Sequence, residues 1–146
     1  MMRTDEQLEA LALEIATNAH KGQTDKAGKP YILHPIRVAE KCNTANERIV
    51  ALLHDTIEDT CITADYLSSQ GFPGNIVNAV LSVTRNDCES YDDFIRRSAL
   101  NPIGRKVKIH DLEDNLDIKR LPEITDNDLP RINRYLKAYR YLCSLY

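Results

Sequence analysis

Apolar residues in this chain return every three or four positions rather than every second one, the spacing of helices that bury one face. Leu8, Leu11, Ala12, Ile15, Ala16 and Ala19 mark a first amphipathic helix, with Thr4 or Asp5 near its start. From Lys21 to Tyr31 the pattern is interrupted by Gly22, Gly28 and Pro30, so this stretch reads as a loop. His34-Pro35 opens a short helix, because proline suits a first helical turn. A third helix is expected from about Asn46, a plausible N-cap, to Glu58. Thr63 caps another that ends near Gly71, and Pro73 starts the next, which carries Ile76, Val77, Val80, Leu81 and Thr84. Ser90 caps a segment with Tyr91, Phe94 and Ile95, and Pro102 opens a helix through Lys108 and Asp111 toward Leu116. A loop with Pro122, Asp126, Asp128 and Pro130 precedes a last helix whose Ile132, Tyr135, Leu136, Tyr139, Leu142 and Cys143 share a face. Tyr31-Ile32-Leu33 is too short to count as a strand, and no repeat or linker divides the chain. The pattern predicts one all-α domain over residues 1–146, with roughly seven to nine helices.

Composition narrows the partners. A net charge of -3 with no dense basic stripe gives no general drive toward nucleic acid or an anionic membrane, so an anionic substrate must be drawn in by a local feature. No apolar run approaches the ~18 residues of a membrane span, and the polar start Met1-Met2-Arg3-Thr4-Asp5 does not read as a signal peptide. Cys42, Cys61, Cys88 and Cys143 form no C-x-x-C pair and are expected to be reduced and mostly buried in a cytoplasmic protein. The oligomeric state is not legible.

Candidate chemistry concentrates in the third helix, which reads from Ile49 to Asp59. Ile49, Val50, Leu53 and Ile57 form an apolar stripe, while His54, Asp55, Glu58 and Asp59 fall in an adjoining arc about 140° wide. Clustered carboxylates repel unless a cation or donors hold them, and an Asp beside a His offers ligands suited to Mn²⁺, Fe²⁺ or Zn²⁺. A solvated acidic helix end would show the same residues, and the helix alone does not separate the two. His34 sits at a helix start from which its ring can project into a cleft. Downstream, Lys108, Asp111 and Asn115 share a face at i, i+3 and i+7, either as a surface salt-bridge set or as a ligand flanked by two phosphate-facing donors.

The order His34 … His54-Asp55 … Asp111 resembles the HD-domain metal phosphohydrolases, and within them the hydrolase domain of RelA/SpoT-type enzymes and the stand-alone small alarmone hydrolases. Three stretches carry the resemblance: Ala19 to Gln23 with Gly28 to Pro35, then Ala51 to Thr60, and Lys108 to Asn115, with Val83-Thr84-Arg85 between the last two. It implies a compact HD-type helical domain in which His34, His54, Asp55 and Asp111 hold one divalent ion, usually Mn²⁺. It further implies that Glu58 and Asp59 position or deprotonate the attacking water. The substrate class implied is a small phosphorylated nucleotide, guanosine tetra- or pentaphosphate losing its 3′-pyrophosphate. Lys26, Lys108 and Asn115 are candidate substrate contacts. Where those hydrolases carry a basic residue against the guanine, this chain has Thr24-Asp25-Lys26, and a carboxylate does not replace a guanidinium. Two alternatives therefore accompany the alarmone hydrolase: an HD-type hydrolase of another nucleotide or phosphorylated metabolite, and a non-catalytic metal- or nucleotide-sensing module.

Overall fold

A computed structural model describes residues 2–146, and among these it shows nine α-helices, one 3₁₀ turn and no β-strand beyond an isolated antiparallel bridge between Thr24 and Pro30. The helices are α1 (Asp5–Ala19), α2 (Leu33–Glu40), α3 (Ala45–Leu53), α4 (Thr56–Asp59), α5 (Ala64–Ser69), α6 (Gly74–Ser82), α7 (Tyr91–Ala99), α8 (Pro102–Asn115) and α9 (Leu129–Cys143), with the 3₁₀ turn at Ile118–Arg120. Side-chain caps set most of the starts. Thr4 forms a reciprocal capping box with Gln7, and Thr44, Thr63, Ser90 and Asn101 each accept from a first-turn backbone N–H. Thr44 rather than Asn46 caps α3, its hydroxyl taking the Glu47 N–H, so Asn46 lies inside the first turn.

α3 is the spine. Ile49 through Leu53 are all buried, and α1, α2, α6 and α8 pack around them. Two apolar clusters result. The larger joins residues of α1, α2, α3, α5 and α6 with Val107, and the smaller joins α7 and α9 with Ile109 and Leu112. α8 therefore belongs to both. Its approach to α6 depends on Gly104, where a Cβ would lie 2.0 Å from the Ser82 hydroxyl oxygen.

The helix expected to run unbroken to Glu58 ends at Leu53. The Thr56 hydroxyl donates to the Leu53 carbonyl (2.7 Å) and His54 Nδ1 to the Ala51 carbonyl (2.6 Å), so side chains take over the last-turn acceptors. His54 and Asp55 occupy the resulting corner, and α4 resumes for a single turn. The last helix also differs. Pro130 belongs to its first turn, and Ala138 and Leu142 are its buried residues, whereas Leu136 is 44% exposed and Cys143 is exposed. All four cysteines are free, but only Cys42 is buried, because the others lie on loops or on the outer face of α9.

Candidate metal centre

Three helices deliver ligand-type side chains to one point. His34 comes from the start of α2, His54 and Asp55 from the corner after α3, and Asp111 from α8. Asp111 Oδ1 lies 2.9 Å from His34 Nε2 and 3.3 Å from His54 Nε2, while Asp55 Oδ2 lies 3.1 Å from His54 Nε2 and 3.6 Å from His34 Nε2. One ligand atom each from His34, His54 and Asp111 falls within 4.8 Å of the others. Both imidazoles thus present the same nitrogen to the same pair of carboxylates.

Each member is held from behind. His54 Nδ1 donates to a carbonyl, which can only accept, so Nε2 is the nitrogen left for the centre. His34 Nδ1 meets Asp114 Oδ2 at 2.6 Å. The Tyr31 hydroxyl donates to Asp55 Oδ2 at 2.5 Å. On Asp111, Lys108 Nζ reaches Oδ2 at 2.8 Å and Asn115 Nδ2 reaches Oδ1 at 3.1 Å.

Burial alone would neutralise these groups, and their mutual charges overrule it. Burial would raise the Asp111 carboxyl, but Lys108 and then His54 hold it well below the usual carboxylate range. Asp55 is pulled down to about 2, its burial outweighed by the charge and hydrogen bond of His54. Burial lowers both imidazoles, yet hydrogen bonds to Asp111 and Asp114 raise His34, and the charges of Asp55 and Asp111 raise His54 well above its ordinary value. Burial, then the Asp55 charge, pushes the Tyr31 phenol far up, so it remains a donor. Two nitrogens and the Asp111 carboxylate within 4.8 Å of one another, with the ionised Asp55 carboxylate beside both nitrogens, fit a divalent cation of intermediate softness, which would take the place of the imidazole protons.

Beside this point opens a cavity of about 420 Å³. Glu58, Asp59, Lys26 and Asn115 line it together with His34, whereas Lys108 does not: its ammonium is buried behind Asp111 and committed to it. Glu58 Oε1 accepts the Arg85 backbone N–H at 2.7 Å, which ties the acid to the loop after α6. That loop is in turn fixed by the Arg97 guanidinium, which pairs with Glu89 and donates to the Leu81 and Thr84 carbonyls. Asp59 is different. Burial, then the charges of Asp55 and Glu58, raises its carboxyl to about 6. Asp25 Oδ1 accepts backbone N–H groups from Ala27 and Lys29, both at 2.9 Å, which shapes the loop, and Asp25 lines the cavity beside Lys26.

Sequence reasoning passed over Tyr31, Arg37, Asp114 and Arg120. Asp114 carried a usable signal: it follows Asp111 by three residues on one helix, the spacing of neighbours on a face. Tyr31, in an irregular loop, carried no spacing signal, although it lies within the stretch Gly28 to Pro35 on which the resemblance rests.

The fold and this centre define an all-helical domain that gathers His and Asp ligands from helices far apart in sequence. Residues 12–94, more than half of the chain, match the HD domain family model, and the chain belongs to that family. Membership implies a divalent metal ion at the His–Asp centre. Among curated proteins, the chain is 34% identical over 119 residues to a guanosine-3′,5′-bis(diphosphate) 3′-pyrophosphohydrolase of Vibrio cholerae serotype O1, a match covering 76% of this chain and 16% of that protein. It is 39% identical over 121 residues to a probable GTP pyrophosphokinase of Mycobacterium leprae, covering 75% and 15%. With the bifunctional (p)ppGpp synthase/hydrolase SpoT of Escherichia coli K12 it shares 37% over 93 residues, covering 60% and 13%. The chain thus spans about a sixth or less of the length of these relatives. A solved structure of a metazoan ortholog of SpoT that hydrolyses ppGpp superposes with a TM-score of 0.73 over 92% of this chain and 84% of that one, at 21% identity, which establishes the shared fold.

Proposed function

We propose that this chain is a divalent-metal-dependent phosphohydrolase acting on guanosine 3′,5′-bis(diphosphate), releasing its 3′-pyrophosphate, with Mn²⁺ as the ion. The observation that carries the proposal is that His34, His54 and Asp111 bring ligand atoms within 4.8 Å of one another, with Asp55 beside both imidazoles, and that His34 lines the same cavity as Glu58 and Asp59. The names of the relatives supply the substrate. A cation held by these four side chains would supply Lewis acidity and lower the pKa of water beside it. Asp59 is the proton acceptor, because a carboxyl near 6 is ionised at neutral pH yet basic enough to take a proton. Glu58, held by the Arg85 N–H, keeps a second negative charge next to Asp59 and so sustains that basicity. As the water oxygen bonds to the phosphorus at the 3′ position, the bond from that phosphorus to the ribose oxygen breaks, and that oxygen takes up a proton from solvent to leave as the 3′-hydroxyl. Asn115 and Lys26 line the cavity as donors for the phosphates and the base.

The test is a turnover assay. Protein stripped with EDTA and reloaded with Mn²⁺ should release pyrophosphate from guanosine tetraphosphate, and His54→Ala should abolish the release. No turnover on this substrate, with turnover on another phosphate ester in a panel, would remove the alarmone and keep the hydrolase. Turnover on none would remove both.

A further inference from the structure

Asp114 is a buried carboxylate outside the four-ligand set, and it makes more contacts than a ligand-free acid needs. It is 2% exposed. One oxygen, Oδ2, faces His34 Nδ1 at 2.6 Å and Arg37 Nη2 at 3.1 Å; the other, Oδ1, accepts from Arg37 Nε at 2.8 Å. The Arg120 guanidinium closes the arrangement, donating to the Asp114 carbonyl at 2.9 Å and lying 3.5 Å from Oδ2. Arg37 stands one turn after His34 on α2, so the carboxylate of α8 is gripped from the same helix whose histidine it orients. With both oxygens engaged, Asp114 cannot swing round to become a fifth ligand. Against the effect of its burial, the hydrogen bonds from His34 and Arg37 hold it ionised, as an acceptor only.

We infer that Asp114 is the positioning residue of the metal centre, its carboxylate fixing the His34 ring so that Nε2 is the free ligand nitrogen. The inference rests on the metal-dependent reading above. A ligating imidazole needs its second nitrogen protonated and hydrogen-bonded, which sets the ring angle and strengthens the ligand. His54 obtains this locally, from a carbonyl three residues back on its own helix, whereas His34 obtains it from a helix 80 residues downstream. Loss of the Asp114 charge should therefore act on one histidine and leave the other in place.

Asp114→Asn is the informative variant, because an amide has the same shape and cannot serve both neighbours. With its oxygen toward Arg37, its NH₂ group faces His34 Nδ1 and drives the ring proton onto Nε2, removing the ligand. Turned over, the NH₂ group faces the guanidinium. The experiment is calorimetric titration of the EDTA-stripped full chain with Mn²⁺ at fixed pH, on wild type, Asp114→Asn and His54→Ala. Melting curves in EDTA run alongside, with ¹⁵N spectra of the histidine rings in the Zn²⁺-loaded wild type. The inference expects Mn²⁺ affinity to fall about tenfold to a hundredfold in Asp114→Asn, in protein still folded in EDTA, and a single His34 tautomer protonated at Nδ1. Affinity within twofold of wild type, with His54→Ala still losing the ion, would overturn the role of Asp114 and leave the metal centre standing. An Nε2-protonated or averaged His34 in the wild type would overturn it without any variant. Absence of Mn²⁺ binding by the wild type would overturn both.

Discussion

Asp111 faces the metal centre with one oxygen and neutralises a buried lysine with the other, and Asp111→Asn separates these tasks when the ion is removed. Lys108 is 9% exposed, its Nζ lies 2.8 Å from Asp111 Oδ2, and its other face meets the Phe94 ring at 5.0 Å. The asparagine keeps an oxygen for the ammonium but not the charge. His34 and His54 can answer that loss by releasing their protons, whereas a lysine starts from a much higher ordinary pKa, so the same relief costs it more free energy. Breaking a buried pair from one side costs about 3–5 kcal/mol, and the retained hydrogen bond favours the lower end. For a domain of this size each kcal/mol moves the melting midpoint by roughly 2–4 °C, so a drop of at least about 6 °C is expected. The assay is urea and thermal unfolding in EDTA, followed by circular dichroism. Adding Lys108→Met to Asp111→Asn removes the stranded charge and should recover most of the loss. A single-variant loss below about 1 kcal/mol, or a double variant no more stable than the single, would refute the view that α8 is held by a buried ion pair.

Asp59→Asn should lower kcat/KM by about a hundredfold to ten-thousandfold with Mn²⁺ still bound, as measured by turnover and calorimetry. In the wild type Asp59 must be ionised, so activity should decline as pH falls through about 6, or somewhat lower where a bound cation pulls the carboxyl down. Because His34 and His54 are raised above their ordinary values and must release protons to an ion, Mn²⁺ affinity should rise with pH. Calorimetry in buffers of different ionisation enthalpy would count those protons. Without the ion, the imidazolium–carboxylate pairs stabilise the fold below pH 6.5, and this contribution fades as pH climbs through the raised values, so Mn²⁺ should lift the melting temperature more at pH 8 than at pH 6. Gly104→Ala should destabilise by about 1–3 kcal/mol. Ser82→Ala should restore only part of this, because the new Cβ would still lie 3.2 Å from the Cβ of residue 82.

Helix starts were legible because capping is local: Thr63, Ser90 and Pro102 each act on the next turn of their own chain. The convergence of His34, His54, Asp55 and Asp111 was anticipated through the resemblance, since no spacing rule joins residues 77 positions apart. The corner after Leu53 was not legible. Periodicity continues smoothly through Ile57, and what breaks the helix is competition for carbonyls by the side chains of His54 and Thr56. Lys108 misled for a related reason. It does share a face with Asp111 and Asn115, but only packing reveals that this face turns its lysine inward beneath α7 and its asparagine toward the cavity. Asp25 was read as a change in base recognition; the structure adds that one of its oxygens shapes the loop that lines the cavity.

The membership of α8 in both apolar clusters bears on how the molecule opens. Val107 is locked into one cluster, Ile109 and Leu112 into the other, with Lys108 and Asp111 on the same turns. Amides in the middle of α8 can exchange with solvent only when both clusters come apart, so they should report the global unfolding free energy while the ends of α9 exchange through fraying. A helix shared in this way makes two small cores behave as one cooperative unit. It also means that partial opening of either half disturbs the helix that carries Asp111.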